Sequence, residues 1–158
     1  MKMDYKQIKV LLSKLNNLYW EQITALAGVV ASVFILLFAL ALKQWNLFGK
    51  LLFGLLFTTL VGILIRTFYF RRRPDKQEYH SYIERLDASS FPSWHTARIV
   101  FCALLFIYFF NNLYLTILFT FIAVCVMYSR MYLKRHDIYD VVAGVILGMI
   151  TYWISMWW

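Results

Sequence analysis

Side chains suited to phosphate and proton chemistry gather in three short stretches of this chain. The first is Arg66-Thr-Phe-Tyr-Phe-Arg-Arg-Arg73-Pro74. Arg66 and Arg73 are seven residues apart, so helical spacing predicts that they project from one face until Pro74 ends the helix. Two stacked guanidiniums in a low dielectric suit a phosphate, whose oxygens match their forked donors. Arg71 to Arg73 alone also fit a stop-transfer or lipid-headgroup cluster.

The second stretch is Phe91-Pro92-Ser93-Trp94-His95-Thr96. Pro92 and Ser93 fit a helix start with Ser93 as cap. A helix N-terminus offers free N–H groups and a positive dipole end, which suit an anion. His95, in the first turn, is placed to give a proton to a leaving oxygen. The third stretch runs from Ser129-Arg130 to His136 and Asp140. At i and i+4, His136 and Asp140 are expected to meet on one helix face. A carboxylate there holds one imidazole nitrogen as N–H and leaves the other free as nucleophile or base. Asp140 opens an apolar run, where an unpaired carboxylate is costly, and His136 is its nearest partner. No third ligand with metal spacing accompanies them, so no metal is expected.

The elements that must hold these stretches are membrane helices. Gln22 to Leu42 carries no charge over 21 residues, enough to cross a bilayer core, and Trp20 and Trp45 flank it. A second span covers about Leu47 to Ile65, with Lys50 near its start expected to snorkel. Ile99 to Ser129 is 31 uncharged residues, too long for one crossing. Asn111-Asn112 is its most polar point and predicts a tight hairpin, giving spans 94–110 and 113–129. The fifth runs from Val141 to Trp158, with Trp153, Trp157 and Trp158 at its far end. Near the N-terminus, Ile8, Leu11, Leu12, Leu15 and Leu18 share one helical face. Lys6, Lys9, Ser13, Lys14 and Asn16 take the other. This reads as an amphipathic helix on the membrane surface, covering residues 1–21.

Composition agrees. The 158 residues are 62% hydrophobic and only 15% charged, too few polar groups to cover a soluble domain. The expected fold is therefore all-α: one domain over 1–158, a polytopic bundle of about five transmembrane helices plus the surface helix. Cys102 and Cys125 both lie in apolar runs and read as buried small residues. No signal peptide is expected, because the first apolar run starts late and is too long. The net charge of +8 implies anionic lipid or phosphate as partner in a membrane protein, not nucleic acid. Of 16 Lys and Arg, 13 fall on the face formed by residues 1–21, 66–92 and 129–140.

In order and spacing, Arg-x6-Arg-Pro, Pro-Ser-x-His and Ser-Arg-x5-His-x3-Asp resemble the three-part signature of the type 2 phosphatidic acid phosphatase family. The resemblance implies an integral membrane phosphatase that needs no metal or other cofactor and works through a phosphohistidine. On that mapping His136 is the nucleophile, Asp140 orients it, and His95 is the general acid. Arg66, Arg73, Ser93 and Arg130 bind the phosphoryl oxygens, helped by the backbone N–H near Trp94. Two positions depart from the family pattern: Arg66 stands where Lys is usual, and Trp94 where Gly is usual. The forked Arg shifts the oxygen contacts, and the indole narrows the pocket or stacks on substrate. The chain is also one span short of the usual six. The family covers phosphatases for phosphatidate, phosphatidylglycerophosphate and polyprenyl diphosphates, and no residue here selects among them. Alternatives are a lipid phosphotransferase and a catalytically weak anionic-lipid-binding protein. The family's usual active-site side, away from the cytoplasm, is favoured over the side that the positive-inside rule indicates. The sequence does not fix the oligomeric state.

Overall fold

The structure, a computed structural model, describes residues 4–74 and 78–157. Lys2 and Lys76, two of the 13 cations counted on one face, and Trp158 at the end of the expected fifth span lie outside the described residues. Among the described residues seven helices follow one another: α1 (Tyr5–Ala25), α2 (Val29–Ala41), α3 (Trp45–Phe68), α4 (Tyr82–Ala88), α5 (Trp94–Phe110), α6 (Leu113–Tyr132) and α7 (Ile138–Ser155). There is no strand among the described residues, only an isolated bridge between Arg72 and Ser89. The chain folds as a polytopic bundle of membrane helices. Stretches 6–41, 45–68, 113–132 and 138–155 are long and apolar enough to cross a bilayer, and α5 is a shorter apolar helix.

Several boundaries follow directly from local chemistry. The hairpin between α5 and α6 turns at Asn111, whose left-handed φ of 42° closes α5. The Asn112 side chain then accepts from the N–H groups of Tyr114 and Leu115 to open α6. Asp137 caps α7 by accepting from Tyr139 and Asp140 N–H. At the N-terminus, α1 continues past the expected start of the first span and breaks at 26–28, where Gly28 is the extended N-cap of α2. The apolar residues Leu11, Leu12, Leu15 and Leu18 of α1 are exposed, which matches a helix whose apolar face has no protein partner. The last turns of α1 dock on α6: Thr24 and Ser129 hydroxyls meet at 2.7 Å, and Trp20 packs on Tyr128 and Tyr132.

The core joins α3, α5 and α7. Leu51, Leu55, Phe101 and Leu105 form one buried cluster with Ala39. Gly54 is needed there, because a Cβ would overlap the Phe101 ring. The pairing of α5 with α7 is the most extensive in the bundle. It is close because Gly144 and Gly148, one turn apart on α7, face α5. A Cβ at Gly144 would stand 2.7 Å from the Ser93 carbonyl oxygen, and one at Gly148 would stand 2.7 Å from that of Ala97. This is the small-xxx-small contact by which membrane helices approach.

Lys50 does not snorkel as expected. It is buried, and its Nζ donates to the Ser155 carbonyl at 2.6 Å, where the last carbonyls of α7 lack helical partners.

Candidate active site

The three chemical stretches meet at one end of the bundle, where α3 ends and α5 and α7 begin. The first departs from its expected shape. α3 stops at Phe68, and Tyr69 is extended (φ −125°, ψ 96°), so Arg73 lies beyond the helix and not two turns above Arg66 on one face. The extended backbone separates three adjacent cations. Arg71 reaches α7, and Arg73 reaches Asp87, its Nη2 3.3 Å from Oδ1.

Arg66 is 1% exposed. Its Nη1 donates to the Leu86 carbonyl (2.7 Å) and its Nη2 to the Pro92 carbonyl (2.8 Å). The guanidinium lies 4.0 Å from the centre of the Trp94 ring. Nε is buried and has no hydrogen-bond partner among the described residues. Arg66 thus braces the chain between α4 and α5, and Nε is its one unengaged nitrogen. The Trp94 indole fits because residue 62 is glycine; a Cβ there would overlap the indole Nε1.

The second stretch forms as expected. Pro92 precedes Ser93 after a cis peptide bond, and Ser93 is the N-cap of α5. The Ser93 hydroxyl is buried. It accepts from Thr96 Oγ1 at 3.0 Å and from Thr96 N–H at 3.5 Å, which leaves its own O–H to donate. The backbone N–H of Ser93 donates to the Asp140 carbonyl at 3.1 Å, a direct link between the starts of α5 and α7. His95 is half-buried, and its side chain makes no hydrogen bond among the described residues. Arg130, Arg98, His136 and Arg73 are the charged or titratable groups around it.

The third stretch is tighter than its spacing implied. α7 begins at Ile138, so His136 precedes the helix and is not on its face. The turn is made by Lys134 at φ 55°, and the His136 N–H is tied to the Arg130 carbonyl at 3.2 Å. Arg130 Nη2 lies 3.2 Å from His136 Nε2. A guanidinium only donates, so Nε2 is the acceptor and the ring proton sits on Nδ1. Nδ1 faces Asp140 Oδ2 at 3.7 Å, beyond hydrogen-bond distance. Burial pushes the His136 ring down to about 4. Asp140 opposes this, while the Arg130 and Arg73 charges reinforce it. At neutral pH the ring is uncharged, with its Nε2 lone pair available.

Asp140 is wholly buried, and its main partner is not His136. Its Oδ1 accepts from Arg71 Nη1 at 2.9 Å and from Ser90 Oγ at 3.3 Å, and its Oδ2 accepts from Asp137 N–H at 3.1 Å. Arg71 also pairs with Asp137, Nη2 to Oδ2 at 2.6 Å. Arg71 and Ser90 were not singled out by spacing. The available signal was Asp140 itself: a carboxylate at the head of a membrane helix, with Asp137 of like charge three residues before it, demands a cation.

The sequence pattern of the PAP2 superfamily matches residues 47–158. This chain belongs to that superfamily. Its fold is similar to that of Aquifex aeolicus LpxE in its crystal structure, with a TM-score of 0.76 and 21% identity over 91% of this chain and 87% of that one. No curated protein matches the chain in sequence. The superfamily match covers all three stretches, and membership supports a membrane phosphatase acting on a lipid phosphate.

Proposed function

We propose that the protein hydrolyses a phosphate monoester or diphosphate of a membrane lipid through a phosphohistidine on His136. The observation that carries this reading is the setting of His136: buried, with Nδ1 facing Asp140 and Nε2 3.2 Å from Arg130 Nη2. A phosphoryl group entering between Arg130 and Nε2 takes over the guanidinium and frees the lone pair. Nε2 attacks phosphorus, and the bond from phosphorus to the leaving oxygen breaks. The arriving phosphate charge offsets the cations around His95 and lets its ring take up a proton, which it gives to that oxygen. Water then attacks phosphorus, His95 takes its proton, the bond from phosphorus to Nε2 breaks, and inorganic phosphate leaves. As positive charge develops on the imidazole, Asp140 stabilises the Nδ1–H side. Arg73, Arg130, the Ser93 hydroxyl and the Trp94 N–H bind the phosphoryl oxygens, and Arg66 contributes through Nε and through the brace it forms. These donors supply the charge stabilisation of the transition state without a metal.

A lipid fits the surroundings. A groove of about 400 Å³ runs between α3 and α7 from Phe91 and Pro92 past Val61 and Ile65, lined by apolar side chains. A tail lying there keeps its phosphate at the level of Ser93.

The test is phosphate release from a panel of lipid phosphates and diphosphates with EDTA present. His136→Ala and His95→Ala are expected to abolish release, and vanadate to inhibit it. Full activity of the His136 variant overturns the mechanism, and transfer of label to an alcohol instead of water shows a phosphotransferase. The site is proposed to face away from the cytoplasm. Labelling of Glu78→Cys in intact cells by an impermeant thiol reagent checks this, and labelling only after lysis reverses it.

A further inference from the structure

Arg98 is a cation that the phosphoryl site does not use. It lies in the second turn of α5 and is 9% exposed. Its one hydrogen bond among the described residues runs from Nη2 to Thr59 Oγ1 at 3.0 Å. That hydroxyl is neutral and already donates to the Leu55 carbonyl at 2.7 Å. Arg98 forms no ion pair among the described residues. A guanidinium has five N–H donors, and a permanent charge at membrane depth without a counter-charge is costly.

The same side chain lines a groove of about 170 Å³ between α2 and α3, together with Val29, Ser32 and Val33 on one side and Leu55, Leu56 and Thr59 on the other. Val29, Val33 and Leu56 are exposed at its rim, so it opens toward lipid. The Ser32 hydroxyl is committed to the Gly28 carbonyl at 2.9 Å, so the walls offer little polarity besides Arg98 and Thr59. Arg98 lies about 6 to 8 Å along α5 from its cap, a depth within reach of a headgroup.

We propose that Arg98 and this groove bind the phosphate of an anionic phospholipid from the surrounding bilayer. The ligand must be anionic, because the groove carries one uncompensated positive charge. It must be amphipathic, because the walls and rim are apolar. The forked guanidinium suits phosphate oxygens. The volume admits a phosphate and its glycerol ester, and the acyl chains remain in the bilayer. Arg98 is one of the charges around His95, but no groove residue is assigned to bind the reacting phosphoryl group, so the test reads lipid-dependent stability and not phosphate release.

The experiment reconstitutes the full chain in phosphatidylcholine nanodiscs with a rising share of phosphatidylglycerol and follows thermal unfolding by tryptophan fluorescence. The wild type is expected to gain several degrees. Arg98→Gln and Val33→Trp, which fills the rim and leaves the arginine, are each expected to lose at least about half of that gain. Arg98→Lys is expected to keep more of it than Arg98→Gln. In pure phosphatidylcholine Arg98→Gln is expected to be no less stable than wild type, since it removes an uncompensated charge. An undiminished gain in both variants overturns the proposal. So does an equal gain from inorganic phosphate in pure phosphatidylcholine that both variants lose, which identifies a free-anion site at Arg98. If Arg98→Gln does not fold, Val33→Trp decides.

Discussion

The Arg66 guanidinium stacks on the Trp94 indole at 4.0 Å, and the indole rests on the bare backbone of Gly62. The two departures from the family's residue pattern are thus in contact. A flat ring at 94 gives a planar cation at 66 a surface, and a glycine one turn earlier on α3 gives the ring its space. Gly62→Ala is expected to lower phosphate release more than tenfold, because its Cβ displaces the indole. Trp94→Gly is expected to restore much of that loss in the double variant. Measured rates for both singles and the double check it, and additive losses would show that the residues act separately.

Arg71→Gln tests the support of Asp140. Arg71 is about one-third exposed, yet it joins both acidic side chains at the start of α7. Without it, Asp140 is expected to turn away from His136, and kcat to fall roughly tenfold or more with little change in KM. A change confined to KM would make Arg71 a substrate contact.

The state of His136 is open to direct observation. Protein labelled with 15N-histidine is expected to show one ring protonated at Nδ1 with Nε2 bare, and to hold that form down to about pH 4. The sign has a consequence for stability. The ring titrates lower when folded than when unfolded. Its contribution is therefore complete above about pH 6.5 and is lost as pH falls toward 4, by about 3 kcal/mol in all. A His136 resonance that titrates near 6.5 would contradict the burial argument.

Glycine on α7 gives a fourth check. Gly144→Ala pushes a Cβ toward the Ser93 carbonyl, whereas Gly148→Ala meets α5 one turn farther from the site. Both are expected to cost about 1 to 3 kcal/mol in packing. Only Gly144→Ala is expected to slow turnover strongly, because it moves the cap of α5. Equal turnover of the two variants would separate helix spacing from catalysis.

Helices and their turns were legible in the sequence wherever polarity changes abruptly. Asn111-Asn112 and the charge-free runs fixed α5 and α6 almost to the residue. The Ser93 cap was legible for the same reason, since a short hydroxyl side chain before an apolar run has one obvious use. What spacing did not reveal was contact between distant segments. Helical periodicity assigned Arg66 and Arg73 to one face, but the carbonyls of Leu86 and Pro92 hold Arg66, and the backbone has already left the helix at Arg73. The carboxylate of Asp140 was matched to the nearest histidine in sequence, whereas its strongest partner, Arg71, is 69 residues away. Gly144 and Gly148 were passed over because a glycine pair shows its meaning only when the opposing helix is known.

The bond from Ser93 N–H to the Asp140 carbonyl joins the starting ends of two helices that run side by side in the same direction. Like poles of two peptide dipoles are thereby held together, an arrangement that repels itself when nothing lies between. The attraction that opposes it comes from carbon against carbon along α5 and α7, deep in the bilayer. Apolar packing thus holds ready a field that a doubly charged oxyanion satisfies. Inorganic phosphate should therefore act as cohesive material for this fold as well as a product of its chemistry.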